Sequence, residues 1–136
     1  METNQVELIY QKIANVLIDM IPEQWDKIVL YAEVREGFSQ VYFYYYPKDH
    51  EKPVYSLDIP DRFNVDKHEY REMKQELYKC FEEIWNEFKV QDQEQWESAT
   101  FILNNAGQMK LNYGYDDLSQ ISPEEKQEKW ETEYLT

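Results

Sequence analysis

The chain has 136 residues, of which 28 are Asp or Glu and 14 are Lys or Arg, so its formal net charge is −14. This charge repels nucleic acid and anionic membranes, and it speeds association with basic partners. Direct nucleic-acid binding is excluded, since it needs a clustered basic face and every basic-leaning stretch here is interrupted by acids.

The composition is that of a folded domain. A hydrophobic fraction of 42% and an aromatic fraction of 16% are too high for a disordered acidic chain. The length suits one domain with a real core, so we expect a single domain over residues 1–136.

Export and membrane signals are missing from the sequence. No run approaches the roughly 18 apolar residues that span a bilayer, and the N-terminus lacks the basic-then-apolar pattern of a signal peptide. Cys80 is the single cysteine and cannot form an intrachain disulfide. We therefore expect a protein of the reducing cytoplasm that makes no contact with membranes.

The chain opens with a helical pattern and changes to a strand pattern. Apolar residues recur at helical spacing over residues 5–21, and Pro22 stops the pattern. Over residues 27–35 the period is two, which predicts a strand with two different faces. One face would carry Ile28, Leu30, Ala32 and Val34, and the other would carry Val29, Tyr31, Glu33 and Arg35.

Two further strands follow. Residues 40–46 are dense in β-forming residues and come after a short turn, which predicts an antiparallel hairpin with the first strand. Residues 54–57 predict a third strand, closed by a turn at Pro60.

Asp66 opens the strongest helical pattern in the chain. With Glu69 three residues later it resembles a capping box, and the helix extends to about Lys89. Cys80 lies beside the apolar stripe and is interpreted as a small core hydrophobe, because no His or second Cys is spaced to activate it. The stripe consists of Tyr70, Met73, Leu77, Phe81, Ile84 and Phe88.

A second hairpin and a last helix complete the pattern. Residues 98–103 and 108–115 predict two strands joined by a loop of four or five residues. Ser122, Pro123 and Glu125 favour a helix start, and the helix runs toward Tyr134. The order α-β-β-β-α-β-β-α predicts an α+β domain, an antiparallel sheet of about five strands with helices packed on it.

The sequence contains no recognisable catalytic or metal-binding motif. His50 and His68 lack a Cys or His partner at metal-ligand spacing, and three scattered glycines make no phosphate loop. Asp116 and Asp117 would point to opposite sides of an extended segment, which disfavours a shared cation site. We therefore expect no cofactor, no metal and no catalytic residue.

Two alternatives of other classes stay open. A small cytosolic enzyme could use Glu33, Asp58 or Asp61 for general acid-base catalysis, which would require a deep pocket and a raised pKa. A nucleic-acid mimic that inhibits another DNA-binding protein would carry acids spaced like phosphates along one face.

Two acidic blocks flank the second hairpin. Residues 82–97 contain six acidic residues and one lysine, and residues 114–136 contain seven acidic residues and two lysines. Aromatic anchors within a charged rim are typical of a protein–protein interface. In the alternative interpretation the tryptophans are core and the acids only face solvent. The aromatic residues concerned are Trp85, Trp96, Tyr113, Tyr115 and Trp130.

An ordered set of segments resembles the YezG/EsaG-type immunity proteins of Gram-positive bacteria. The similarity runs from about residue 5 to residue 135, and no single segment in it is a mechanistic motif. The segments are 7–14 (ELIYQKIA), 18–25 (IDMIPEQW), 30–34 (LYAEV), 43–45 (FYY), 55–60 (YSLDIP), 100–103 (TFIL) and 115–118 (YDDL).

The resemblance implies a function. Members of this family protect a producer from its own secreted toxin of the LXG or type VII secretion kind, by binding the toxin's C-terminal nuclease domain in the cytoplasm. A nuclease needs a basic cleft, so an acidic partner is steered to it.

The resemblance implies a non-enzymatic immunity protein whose partner is a basic nuclease domain. The oligomeric state stays open between a monomer and a weak homodimer, because the aromatic content would tolerate a dimer. The candidate toxin-binding residues are Asp58, Glu82, Glu83, Asp92, Trp96, Tyr115, Asp116 and Asp117.

Overall fold

The computed structural model describes residues 4–135, so the outermost residues of the predicted domain, 1–3 and 136, lie outside it. The elements confirm the predicted α+β class and the predicted order. The helices are α1 (Asn4–Met20), α2 (Ile59–Arg62), α3 (Lys67–Val90) and α4 (Pro123–Tyr134). The strands are β1 (Trp25–Arg35), β2 (Phe38–Pro47), β3 (Val54–Tyr55), β4 (Ser98–Asn104) and β5 (Met109–Gly114).

The five strands form one antiparallel sheet in the order β3-β2-β1-β4-β5. β1 lies in the middle, and its Leu30 is opposite Phe43 of β2 on one side and Phe101 of β4 on the other. Because side chains alternate along a strand, these three residues point to the same face of the sheet. All three are fully buried.

Helices α1 and α3 cover that face and form the main core with it. Their apolar stripes pack against each other and against the even-numbered residues of β1, which confirms the predicted inward face of that strand. The core includes Ile13, Leu17, Ile28, Leu30, Ala32, Val34, Phe43, Leu77, Phe81, Ile84 and Phe101.

Helix α4 covers part of the opposite face of the sheet. Its one fully buried residue, Trp130, packs on Tyr31 and Tyr42 with 5.6 Å between ring centroids in both pairs, and its indole N–H donates to Thr100 Oγ1 at 3.0 Å. Tyr44 also lies in this aromatic cluster. The domain therefore has three layers, with α4 held mainly by aromatic packing.

The predicted helix starts are confirmed by their capping bonds. The Asp66 carboxylate accepts hydrogen bonds from the backbone N–H groups of His68 and Glu69, at 2.9 and 3.0 Å. Ser122 Oγ accepts one from the Glu125 N–H at 3.2 Å. Each bond satisfies a donor that the first turn of a helix leaves without a backbone partner.

The third strand is shorter than predicted. Only Val54–Tyr55 is strand, and a 3₁₀ turn (Ser56–Asp58) leads directly into α2. The Phe43 N–H of β2 donates a hydrogen bond to Ser56 Oγ at 3.1 Å. The Ser56 side chain thus takes the place of the backbone carbonyl that a longer β3 would offer to β2. Pro60 lies in the first turn of α2, where its missing N–H costs little.

Candidate interaction surface

One end of the sheet gathers many acidic residues. β1 turns into β2 at this end, β4 begins here and β5 ends here, so we call it the hairpin end. Glu97 is placed here by its N–H, which donates to the Gly114 carbonyl at 2.8 Å. Glu82 is placed here by Ser39, whose hydroxyl donates to the Glu82 carboxylate at 2.9 Å.

Helix α4 extends the acidic surface away from the hairpin end. It turns Lys126, Gln127, Trp130 and Glu131 toward the sheet, and its other four carboxylates are exposed. We define the acidic face as the exposed carboxylates of α4 and of the loop between β5 and α4. These are Asp116, Asp117, Glu124, Glu125, Glu128 and Glu133.

A groove of about 710 Å³ separates α4 from strands β4 and β5. Trp130 fixes α4 over β1 and β2 and also contacts Thr100 of β4, so this helix leaves β5 uncovered. Asn112 and Gly114 line the groove on the β5 side. Glu125, Lys129 and Glu133 line the helical wall, since residues four apart lie on one side of a helix.

Among the described residues, Glu33 is the sheet carboxylate that is buried. Its side chain is 1% exposed, and it accepts hydrogen bonds from the Tyr31 hydroxyl at 2.7 Å, from Lys126 Nζ at 3.0 Å and from the Arg35 guanidinium. Burial alone would raise the pKa of Glu33, but these three donors outweigh burial and hold the pKa below its ordinary value.

The enzyme hypothesis is not favoured by this geometry. It required a sheet carboxylate with a raised pKa, and the pKa of Glu33 is lowered because its donors stabilise the ionised form. Asp58 and Asp61 are exposed, in the 3₁₀ turn and in α2. Glu33 instead joins α4 to the sheet through Lys126.

Five of the predicted contact residues are charged and lie at or near the hairpin end. Glu82 is half-buried, and Glu83 follows it, exposed, on α3. Asp92 is exposed just beyond the end of α3, and Asp116 is exposed just after β5. Asp117 accepts hydrogen bonds from the Ser119 hydroxyl at 2.7 Å and from its N–H at 2.9 Å, which hold the pKa of Asp117 below its ordinary value.

Asp58 does not join this group. It follows β3, which is the edge strand opposite β5, so Asp58 lies toward the opposite edge of the sheet from Asp116.

The aromatic residues near the acidic blocks are mostly core, which corrects part of the predicted interface. Trp96 is 1% exposed and packs on the rings of Phe81 and Tyr113, so it leaves the set of surface contacts. Trp130 is buried between α4 and the sheet. Tyr115, in contrast, is 46% exposed.

Sequence reasoning missed the four outward carboxylates of α4 as a group. Within the predicted helix, the large apolar ring of Trp130 marks the side that faces the sheet. A helical-wheel projection centred on Trp130 would have placed these carboxylates on the solvent side of the helix. They are Glu124, Glu125, Glu128 and Glu133.

The candidates for a reactive thiol and for a metal site are Cys80 and the described His, Asp and Glu residues. Cys80 is buried, and burial raises the pKa of its thiol to about 11, which confirms its interpretation as a core residue. Over residues 4–135, no three His, Cys, Asp or Glu side chains are grouped to hold a metal ion. None of the described helices is long and apolar enough to cross a membrane.

Comparison with known proteins gives a consistent family. Residues 6–136 match the family model for YezG-like immunity proteins. The chain is 34% identical over 132 residues to the immunity protein YezG of Bacillus spizizenii, covering 96% of this chain and 82% of that one. It is 35% identical over 129 residues to YezG of Bacillus subtilis strain 168, covering 93% and 85%. It is 32% identical over 109 residues to the type VII secretion system protein EsaG of Staphylococcus aureus, covering 80% and 67%.

Proposed function

Since the chain belongs to the YezG-like immunity protein family, we propose that it binds and neutralises the C-terminal nuclease domain of a cognate secreted toxin. Family membership is the observation that carries the immunity role. The relative named as a type VII secretion system protein supports a secreted toxin as the target. The protein acts as a stoichiometric binder in the cytoplasm and catalyses no reaction.

The mechanism is occlusion of the toxin's active site by an acidic surface. A nuclease must attract phosphates, so the cleft in which it holds its substrate is basic. The exposed carboxylates of the acidic face carry the opposite charge. They steer association and then cover the cleft, so that substrate is excluded both sterically and electrostatically.

The scaffold keeps the acidic face in a fixed position. Four carboxylates of the face are on α4, which is tied to the sheet by the buried Trp130 and by the contact between Lys126 and Glu33. The other two are in the loop before it, where Ser119 donates to Asp117. A surface already ordered before binding loses little conformational entropy when the toxin docks.

Charge reversal within the acidic face tests this mechanism. We expect the double variant Asp116→Lys and Glu128→Lys to slow association with the toxin domain encoded beside this gene by about three- to tenfold at low salt. It should also reduce the salt dependence of the association rate. Both side chains are exposed, so stability should change little.

A matched control separates the local surface from total charge. Asp19→Lys with Glu51→Lys changes the net charge equally, and both residues are exposed and lie away from the hairpin end. Stopped-flow association rates should fall clearly more for the acidic-face variant than for the control. Equal rates for the two variants would exclude the acidic face as the steering surface.

A further inference from the structure

The outermost long strand of the sheet, β5, has an open edge. β5 pairs with β4 alone, whereas the strand at the opposite edge, β3, has only two residues. An edge strand presents N–H and C=O groups that a further strand can pair with. The six-residue β5 is therefore the longer pairing edge that the described sheet offers.

The hydrogen-bond pattern identifies which backbone groups point outward. The Asn104 N–H donates to the Gln108 carbonyl at 3.1 Å, so this opposed pair begins the hydrogen-bonded series of the β4–β5 ladder. Such pairs alternate along an antiparallel ladder. Lys110 and Asn112 therefore bond to β4, and the N–H and C=O groups of Met109 and Leu111 point to the open side.

The two faces beside this edge have different chemistry. On the α1 side, Leu8 is 71% exposed and Met109 41% exposed, and the two line one shallow depression with Tyr10. On the α4 side the groove carries Asp116, Glu125 and Glu133 against Lys126 and Lys129. Lys126 is already held by Glu33, so the groove is net acidic.

We propose that β5 receives an extended segment of the toxin domain as an added strand, with apolar side chains toward α1 and basic side chains toward the groove of α4. The proposal rests on the proposed immunity function and specifies how the partner docks. Backbone hydrogen bonds to Met109 and Leu111 would supply affinity, and the alternating side chains would supply specificity. The occupant is a basic segment rather than a second copy of this chain, since two chains of net charge −14 repel each other.

Residue-resolved amide exchange of the free protein and of its complex with the neighbouring toxin domain is the direct test. In the free protein the Met109 and Leu111 amides should exchange fast, and those of Lys110 and Asn112 slowly. In the complex, the Met109 and Leu111 amides should slow by at least about tenfold. The Lys110 and Asn112 amides serve as the internal control, because they are bonded to β4 in both states.

Proline variants give a second readout. Leu111→Pro removes an outward N–H without removing a ladder bond, whereas Leu111→Ala keeps that N–H and loses the same side-chain packing. We expect the proline variant to bind about tenfold more weakly than the alanine variant.

Each other outcome overturns the proposal in a recognisable way. A normal complex without protection at Met109 and Leu111 refutes strand addition and leaves the immunity function standing. Protection in the free protein that rises with its concentration assigns the edge to a second copy of the chain. If no complex forms, the proposed function fails and the docking mode fails with it.

Discussion

Glu33 shows how a buried charge can join a helix to a sheet. The carboxylate is nearly inaccessible, yet Tyr31, Arg35 and Lys126 all donate to it. Removing one member of a buried ion cluster leaves the charges of the other members without a partner of opposite charge. Because Lys126 is on α4, the cluster also couples the stability of the sheet to the position of the acidic face.

The stabilisation from Glu33 should depend on pH. The pKa of Glu33 lies below its ordinary value of 4.5, so the folded state favours the ionised form. Glu33 therefore contributes its full stabilisation above pH 4.5. This stabilisation is lost as the pH falls through the lowered pKa that Glu33 has in the folded state. We expect Glu33→Gln to reduce the free energy of unfolding by about 3 kcal/mol at pH 7. The difference in unfolding free energy between the native protein and Glu33→Gln should become smaller as the pH falls from 4.5 to 3.

Urea denaturation of both proteins across this pH range measures the effect. A deficit that is the same at pH 7 and at pH 3 would contradict the assignment of a lowered pKa to Glu33.

Trp96 and Tyr115 should respond oppositely to truncation. Trp96→Ala would leave a large cavity in the main core and should cost about 3–5 kcal/mol of unfolding free energy. Tyr115→Ala removes an exposed ring and should change stability by no more than about 0.5 kcal/mol. Chemical denaturation measures the unfolding free energy of both variants. A small loss of unfolding free energy for Trp96→Ala would contradict the burial of Trp96 in the main core.

At the scale of elements, α4 depends on very few contacts. Trp130 is its one fully buried residue, supported by the Lys126 contact and by the Tyr44 hydroxyl, which donates to Glu131. Helices α1 and α3, in contrast, share a continuous core with the sheet. We therefore expect α4 to unfold locally more readily than α1 or α3, although its contacts hold it in place in the native state.

Truncating Trp130 should release α4 selectively. We expect Trp130→Ala to raise amide exchange across Pro123–Tyr134 while the amides of α3 stay protected, because the main core lies on the other face of the sheet. Thr100→Val is the milder companion change, since it removes only the acceptor of the indole N–H. Equal loss of protection in α3 and α4 would show that the two layers unfold as one unit.

Elements set by local rules could be predicted from the sequence, and those set by tertiary contacts could not. The alternation over β1 and the caps at Asp66 and Ser122 depend on neighbouring residues, and the structure confirms them. The short β3 depends on Ser56 meeting Phe43 across the sheet, which no local pattern reveals. Likewise, acidic residues lie next to both Trp96 and Tyr115 in the sequence. Only the packing of the folded chain decides which of the two rings faces solvent.

At the scale of the whole molecule, the net charge of −14 arises from carboxylates with different surroundings. The acids that hold the fold together, such as Glu33, are buried and paired. Those of the acidic face are exposed on α4 and on the loop before it, and Asp116, Glu125 and Glu133 among them line the groove beside β5. We therefore expect that the acidic face can be changed without unfolding the domain.

Calorimetric binding to the toxin domain encoded beside this gene, with nuclease activity read in parallel, tests the central claim most directly. It should be done at about 0.1 M and about 1 M salt, between which the Debye length falls from about 10 Å to about 3 Å. We expect a one-to-one complex that abolishes nuclease activity and binds more weakly at high salt. Absence of binding, or a complex in which the toxin still cuts nucleic acid, would contradict the account.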